Sequence, residues 1–180
     1  MSAADPHRSA HVEPSQWVLR WAELILAGGE VLDVACGGGR HTRALLDRGL
    51  RVLAVDRDVS GITDLEGRPR LRILEADLET GNPPPDLVGP FAGIVVTNYL
   101  HRPLLPALLT AVAPGGVLIY ETFADGNQRF GRPFSPKHLL QPGELLEVVR
   151  RHLRVAAYED VLIGSPPTAA VQRICAVRTL

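Results

Sequence analysis

Three aspartates and a run of glycines are the residues of this chain best suited to chemistry. Asp33, Asp56 and Asp77 lie in or just after short apolar, β-branched runs, so three neighbouring strands would deliver three carboxylates to one edge of a sheet. Between the first two acids stands Cys36-Gly37-Gly38-Gly39-Arg40. Glycines there let the backbone turn sharply and let a ligand approach with no Cβ in the way. Asp56 follows Gly37 by nineteen residues (56 minus 37), close to the roughly 20 expected of a carboxylate that grips a ribose diol. One such acid could equally cap a helix or turn. Three on adjacent strands point to a nucleoside site.

Charge narrows the ligand. A dinucleotide would lay its pyrophosphate over the glycine turn, where Asp33 would repel it, whereas the ammonium and sulfonium of S-adenosylmethionine make an acid there an asset. Counting G-x-G-x-x-G from Gly37 also ends on Thr42, so the last glycine of the dinucleotide pattern is missing.

Asp33-x-Ala35-x-Gly37-x-Gly39 resembles the acid-then-glycines motif of class I methyltransferases, with Ala35 where the motif has its first glycine. The longer string VLDVACGGGRHTRALLDRGLRVLAVDRD is similar to the tellurite-resistance type of small bacterial methyltransferases, and the similarity loosens after it. The resemblance implies an S-adenosylmethionine site in which Asp33 lies near the methionine end and Gly37 and Gly39 pass beneath the cofactor. Asp56 would take the ribose hydroxyls, and Asp77 with Leu78 would meet the adenine. Ala35, Cys36, Arg40, Arg57 and Asn98 complete the expected cofactor set. The segment Thr97-Asn98-Tyr99-Leu100-His101-Arg102 would face the methyl group. It lacks the Asn-Pro-Pro-Tyr type of motif used on nucleobases, so a small-molecule or oxyanion-like acceptor is expected. RNA or protein methylation, or cofactor binding without catalysis, are the alternatives.

Methyl transfer from a sulfonium is an in-line displacement that positioning and desolvation can drive without a covalent intermediate. A base is needed only where the acceptor carries a proton. His101 is the candidate, with Tyr99 beside it, although a histidine before Arg102-Pro103 could instead cap a helix. Tyr99, His101, Arg102, Glu121, Phe123, Arg129, Phe130 and Arg132 form the expected acceptor side. The last four lie in a connection over 123–141, nineteen positions long, which reads as a lid or as a loop held down by its own aromatics. His41 reads as structural or as a cofactor-rim contact, and Cys36 as packing that the cofactor would cover.

Positioning these groups requires an α/β fold. Short apolar runs alternate with amphipathic stretches, which predicts a Rossmann-like three-layer sandwich with a seven-stranded, mostly parallel sheet. Strands are expected over 31–35, 51–56, 71–76, 91–97, 117–122, 154–161 and 170–177. The last two, joined by Gly164-Ser165-Pro166-Pro167, should form a hairpin that leaves one antiparallel strand at the sheet's edge. Trp17, Trp21, Leu24 and Ile25 predict an opening amphipathic helix, residues 40–48 a second, and a third begins at Pro142. The proline-rich stretch 81–90 reads as a surface connection.

Composition bounds the rest. With 46% hydrophobic and 22% charged residues in 180, one domain over 14–180 is expected, preceded by a flexible segment 1–13. A net charge of -1 gives no field that would draw nucleic acid or anionic membrane. Cys36 and Cys175 show no metal-ligand or disulfide spacing, so no metal is expected and a reducing cytoplasm fits. No signal-peptide pattern or bilayer-length apolar run is present.

Overall fold

The computed structural model describes residues 13–81 and 84–180; apart from Glu13, the segment expected to be flexible lies outside them. Seven strands form one sheet: β1 (Glu30–Val34), β2 (Arg51–Asp56), β3 (Leu71–Glu75), β4 (Phe91–Thr97), β5 (Val112–Phe123), β6 (Arg154–Ile163) and β7 (Ala169–Val177). Their order is β3-β2-β1-β4-β5-β7-β6. The β1–β2, β2–β3, β1–β4 and β4–β5 pairs are parallel, and β7 runs antiparallel to both neighbours. The expected hairpin is therefore present, but the antiparallel strand is not itself the edge. The turn over 164–168 folds β7 back between β5 and β6, and β6 becomes the outermost strand.

Strands buried on both faces need apolar residues at consecutive positions, and β1, β2, β4 and β5 supply them. Leu32, Val34, Leu53, Val55, Ile94, Val96, Leu118 and Tyr120 point into one core, closed by α3 (Leu105–Ala111) and α4 (Glu144–Val149). Val31, Val52, Ala54, Val95, Val117 and Ile119 point into the other, closed by α1 (Gln16–Trp21) and α2 (Arg40–Asp47). Trp17 is buried there, edge-on to the partly buried Trp21 at 5.6 Å between ring centroids. Among the described residues no helix is long and apolar enough to cross a membrane.

Three elements differ from the sequence reading, the first being α3, a helix over Leu105–Ala111 that was not expected. The helix expected from Pro142 is α4, which starts at Glu144 because Gly143 is left-handed at φ 72° and interrupts the helical path. Strand β5 begins five positions early, at Val112, and absorbs Pro114-Gly115-Gly116 through a register irregularity against β4.

The strand order reverses between β1 and β4, each flanked by connections to opposite sides. In open α/β sheets the crevice outside the carboxyl ends at this point holds ligands. The glycine turn follows β1 and the segment 98–102 follows β4 at this same edge of the sheet.

Candidate functional site

The glycine turn is built from left-handed positions: Ala35, Gly37 and Gly39 have φ of 53°, 53° and 73°. The Cys36 N–H donates to the Val55 carbonyl at 3.0 Å, and the Gly37 N–H to Asp56 Oδ2 at 2.8 Å. The end of β2 thus holds the turn after β1. A Cβ on Gly37 or Gly38 would meet nothing within 4 Å, so open space lies over both. Gly39 differs: a Cβ there would collide with Ile62 Cγ2. It serves close packing against the 3-10 segment Val59–Leu65, and Gly38, absent from the expected site, takes its place on the open side.

Asp33 is buried under the turn, and its Oδ2 accepts from Thr42 Oγ1 at 2.6 Å. Burial raises its pKa to about 6, against the lowering effect of the Thr42 bonds and Arg40; Asp56 adds to the rise. The Cys36 thiol is pushed up by burial and by the same two carboxylates, which disfavours a thiolate there. Asp56 Oδ1 accepts the Asp58 N–H at 3.1 Å. Asp77 is exposed and turns its chain by accepting the Glu79 N–H at 2.9 Å, with Leu78 buried beside it and Arg57 exposed after β2. Asp56 and Asp77 both act on the Tyr99 phenol. Asp33 and Asp56 likewise both act on the Cys36 thiol, so Asp56 is near each of the other two sites.

After β4, Asn98 is left-handed at φ 54° and its N–H donates to the Glu121 carbonyl at 2.9 Å. Tyr120 donates its hydroxyl to the Tyr99 carbonyl at 2.8 Å, which fixes the segment on β5. The Tyr99 hydroxyl is buried and, among the described residues, makes no hydrogen bond. Burial and the charges of Glu79, Asp77 and Asp56 push its pKa up. A phenol held protonated is a poor base, and the ring stands among the charges of Glu79, Asp77 and Asp56. His101 is half-buried, and only its carbonyl takes part in starting the 3-10 turn Arg102–Leu104. His101 lines a cleft of about 270 Å³ with Glu79, Leu100, Arg102, Pro103, Lys137 and His138.

Other residues expected on the acceptor side hold the scaffold together. Arg102 makes a two-pronged bond to Glu144, at 2.6 and 2.8 Å, and donates to the Lys137 and Leu139 carbonyls, at 2.7 and 2.9 Å. These bonds occupy its guanidinium and make it a staple. Glu121 is buried and accepts from Ser15 Oγ at 2.8 Å and Arg173 at 3.3 Å, so it anchors the start of α1. Arg173 also pairs with Glu159 and lies over the Trp17 ring.

His41 completes that anchor. Its Nε2 accepts the Ser15 N–H at 3.1 Å and its Nδ1 lies 3.2 Å from Thr97 Oγ1, an arrangement that suits the neutral ring with its proton on Nδ1. Burial, then Arg40, lowers its pKa to about 3. Arg40 is half-buried at the start of α2 and reaches the Glu13 carbonyl at 3.4 Å. Thr42, Ser15 and Arg173 were missed in the sequence. Ser15 carries a signal, as an N-cap that accepts from the Trp17 and Val18 N–H groups.

The 123–141 connection is stitched down. Ala124 bridges Leu140, and buried Asn127 donates to the Arg132 carbonyl and accepts the Ala170 N–H. Arg129 and Arg132 are exposed and cover the loop's own Phe130 and Phe134, which favours the held-down reading over a mobile lid. Phe123 is partly buried at the end of β5. Among the described residues, no hydrogen bond or ion pair joins Phe123, Arg129, Phe130 or Arg132 to the glycine turn.

The sheet order and the parallel-then-antiparallel pairing are those of the Rossmann-like fold found in solved S-adenosylmethionine-dependent methyltransferases. No family model matches the chain. It is 28% identical over 155 residues to trans-aconitate 2-methyltransferase of Delftia acidovorans, covering 79% of this chain and 58% of that protein. The chain thus spans a little over half the length of that relative. In structure it resembles 1,6-didemethyltoxoflavin-N1-methyltransferase of Burkholderia thailandensis, crystallised with S-adenosylhomocysteine, with a TM-score of 0.68 and 20% identity over 91% of this chain and 77% of that one. It also resembles TehB from Haemophilus influenzae, with a TM-score of 0.70 and 17% identity over 89% of this chain and 61% of that one.

Proposed function

We propose that this chain is an S-adenosylmethionine-dependent methyltransferase that acts on a small acceptor bearing carboxylate or similar oxyanion groups. The observation that carries the reading is the Asp56 carboxylate bonded to the Gly37 N–H beside an open turn, with Asp33 buried beneath. Each Asp56 oxygen has one backbone donor and retains acceptor capacity for a hydroxyl of a ribose diol. Asp33 and Asp56 give the turn the negative charge that suits a cationic nucleoside and opposes a phosphate. When bound, S-adenosylmethionine supplies an electrophilic methyl on sulfur. The chain's part is to hold the nucleoside on the acids, to exclude water with the packed segment after β4, and, where the acceptor carries a proton, to take it on His101.

The trans-aconitate relatives support an organic acid as acceptor, and the tellurite-resistance resemblance of the glycine-turn string supports a small oxyanion. Two buried, unpaired thiols favour a cytoplasmic setting. Calorimetry with S-adenosylhomocysteine and with NAD tests the cofactor assignment, and release of S-adenosylhomocysteine across a panel of small organic acids tests the acceptor. Binding of the first and none of the second is expected. NAD binding at comparable affinity would overturn the reading.

A further inference from the structure

We propose that the cleft between Glu79 and Lys137-His138 binds a small carboxylate, whose anionic group is received by Lys137, His138 and His101. Lys137 is the one lysine among nineteen basic residues, and it stands at the wall of this cleft with the two half-buried histidines. Among the described residues, the Lys137 ammonium and the His101 and His138 imidazoles have no hydrogen-bond or ion-pair partner.

Their positions are nevertheless built. Arg102 donates to the Lys137 carbonyl at 2.7 Å and the Leu139 carbonyl at 2.9 Å, while Glu144 balances its charge through two short bonds. The 3-10 turn Pro136–His138 is thus clamped against the segment that carries His101. Arg102 provides the frame and leaves the uncompensated donors to the other three.

Size and charge select the ligand. About 270 Å³ lies below the range of roughly 300 to 1,000 Å³ typical of drug-sized sites, which suits a short organic acid and not a nucleotide. Glu79 on the facing wall would repel a phosphate dianion more than a single carboxylate arm, and its oxygens can accept a hydroxyl on the same molecule. The Glu79 charge reaches the Tyr99 phenol beside the cofactor acids, so the cleft adjoins that crevice. Its use as the seat of the methyl acceptor rests on the methyl-transfer reading; the binding of an acid does not.

The test titrates the full chain with citrate and succinate, with neutral succinamide as control, and follows calorimetric heat and the imidazole signals in nitrogen-15 NMR. Both acids are expected to bind and to shift the His101 and His138 signals, with succinamide at least about tenfold weaker. The Lys137→Gln, His138→Gln double variant should keep its melting temperature and lose at least about tenfold in affinity for both acids, while Arg132→Gln should not change. Absence of saturable acid binding, or equal binding by the double variant, would overturn the inference. S-adenosylhomocysteine is titrated in parallel. If it fails to bind while the acids bind, the methyl-transfer reading falls and the cleft stands; if it binds and the acids do not, the cleft alone falls.

Discussion

The carboxylate of Asp56 accepts the N–H of Gly37 at 2.8 Å, so the end of β2 holds the turn that follows β1. One side chain both shapes the glycine turn and offers acceptors to whatever lies on it. That coupling explains why an acid is wanted at this position even before a ribose arrives: it satisfies a backbone donor that the left-handed turn leaves without a helical or sheet partner.

Replacing Asp56 with alanine should therefore weaken S-adenosylhomocysteine binding by at least about tenfold, the scale of a lost charged hydrogen-bond pair. The fold should lose no more than about 1 kcal/mol, since the freed Gly37 N–H is exposed and can turn to water. Calorimetry and urea denaturation measure the two effects. Unchanged affinity would remove Asp56 from the site.

Asp33 couples stability to pH in the direction opposite to an ion-paired acid. Its pKa rises from 3.8 to about 6 because burial penalises the charge. The folded chain holds this proton more tightly than the unfolded chain, so Asp33 favours folding most below about pH 4, and this advantage is lost as pH rises to about 6. At 1.36 kcal/mol per pH unit, the ionised carboxylate opposes folding by about 3 kcal/mol at pH 7. Asp33→Asn should thus raise stability at pH 7.5 by up to about 3 kcal/mol and flatten that part of the pH profile. It should also weaken binding of S-adenosylmethionine, whose wild-type affinity should increase as pH rises through 6. A variant less stable than wild type at pH 7.5 would contradict the burial argument.

Strands and the three acids were legible in the sequence because both follow from local pattern. Continuous β-branched runs mark strands buried on two faces, and an acid at a strand end needs no distant partner to be recognised. What stayed hidden depends on pairing between remote segments. Arg102 looked like a free cation beside the methyl position, yet Glu144 and the 137–139 carbonyls, some forty residues away, occupy it. Glu121 looked like an acceptor contact until α1 folded back and placed Ser15 and Arg173 on it. The strand order of the terminal hairpin was equally hidden, since either strand could have taken the edge.

Tyr99 should act on the nucleoside and not on the methyl acceptor. A buried hydroxyl without a partner carries a penalty of about 1 to 3 kcal/mol that a ligand acceptor can relieve. Tyr99→Phe should lower the affinity for S-adenosylhomocysteine and for adenosine by a similar factor, about threefold to tenfold, and leave kcat at saturating cofactor unchanged. Tyr99→Leu should lower both further by removing the ring. Equal affinities in wild type and Tyr99→Phe, together with a fall in kcat, would return the residue to the acceptor side.

His41 is held neutral by the fold, and its linkage has the opposite sign to that of Asp33. Its pKa falls from 6.5 to about 3 through burial and the neighbouring Arg40, so below pH 6.5 the unfolded chain takes up a proton that the folded chain refuses. Stability from this residue is complete above 6.5 and is lost as pH falls towards 3, by about 2 kcal/mol at pH 5 at 1.36 kcal/mol per pH unit. The cause is geometric. Nε2 must stay unprotonated to accept the Ser15 N–H, and Ser15 in turn bonds Glu121 and caps α1. His41→Gln retains an acceptor for Ser15 and cannot titrate, so the stability gap between wild type and variant should shift by about 2 kcal/mol in the variant's favour between pH 7.5 and pH 5. Urea denaturation at the two pH values measures it. A gap that does not move would mean that the ring accepts its proton in place, and that the Ser15 contact is not what fixes the start of α1.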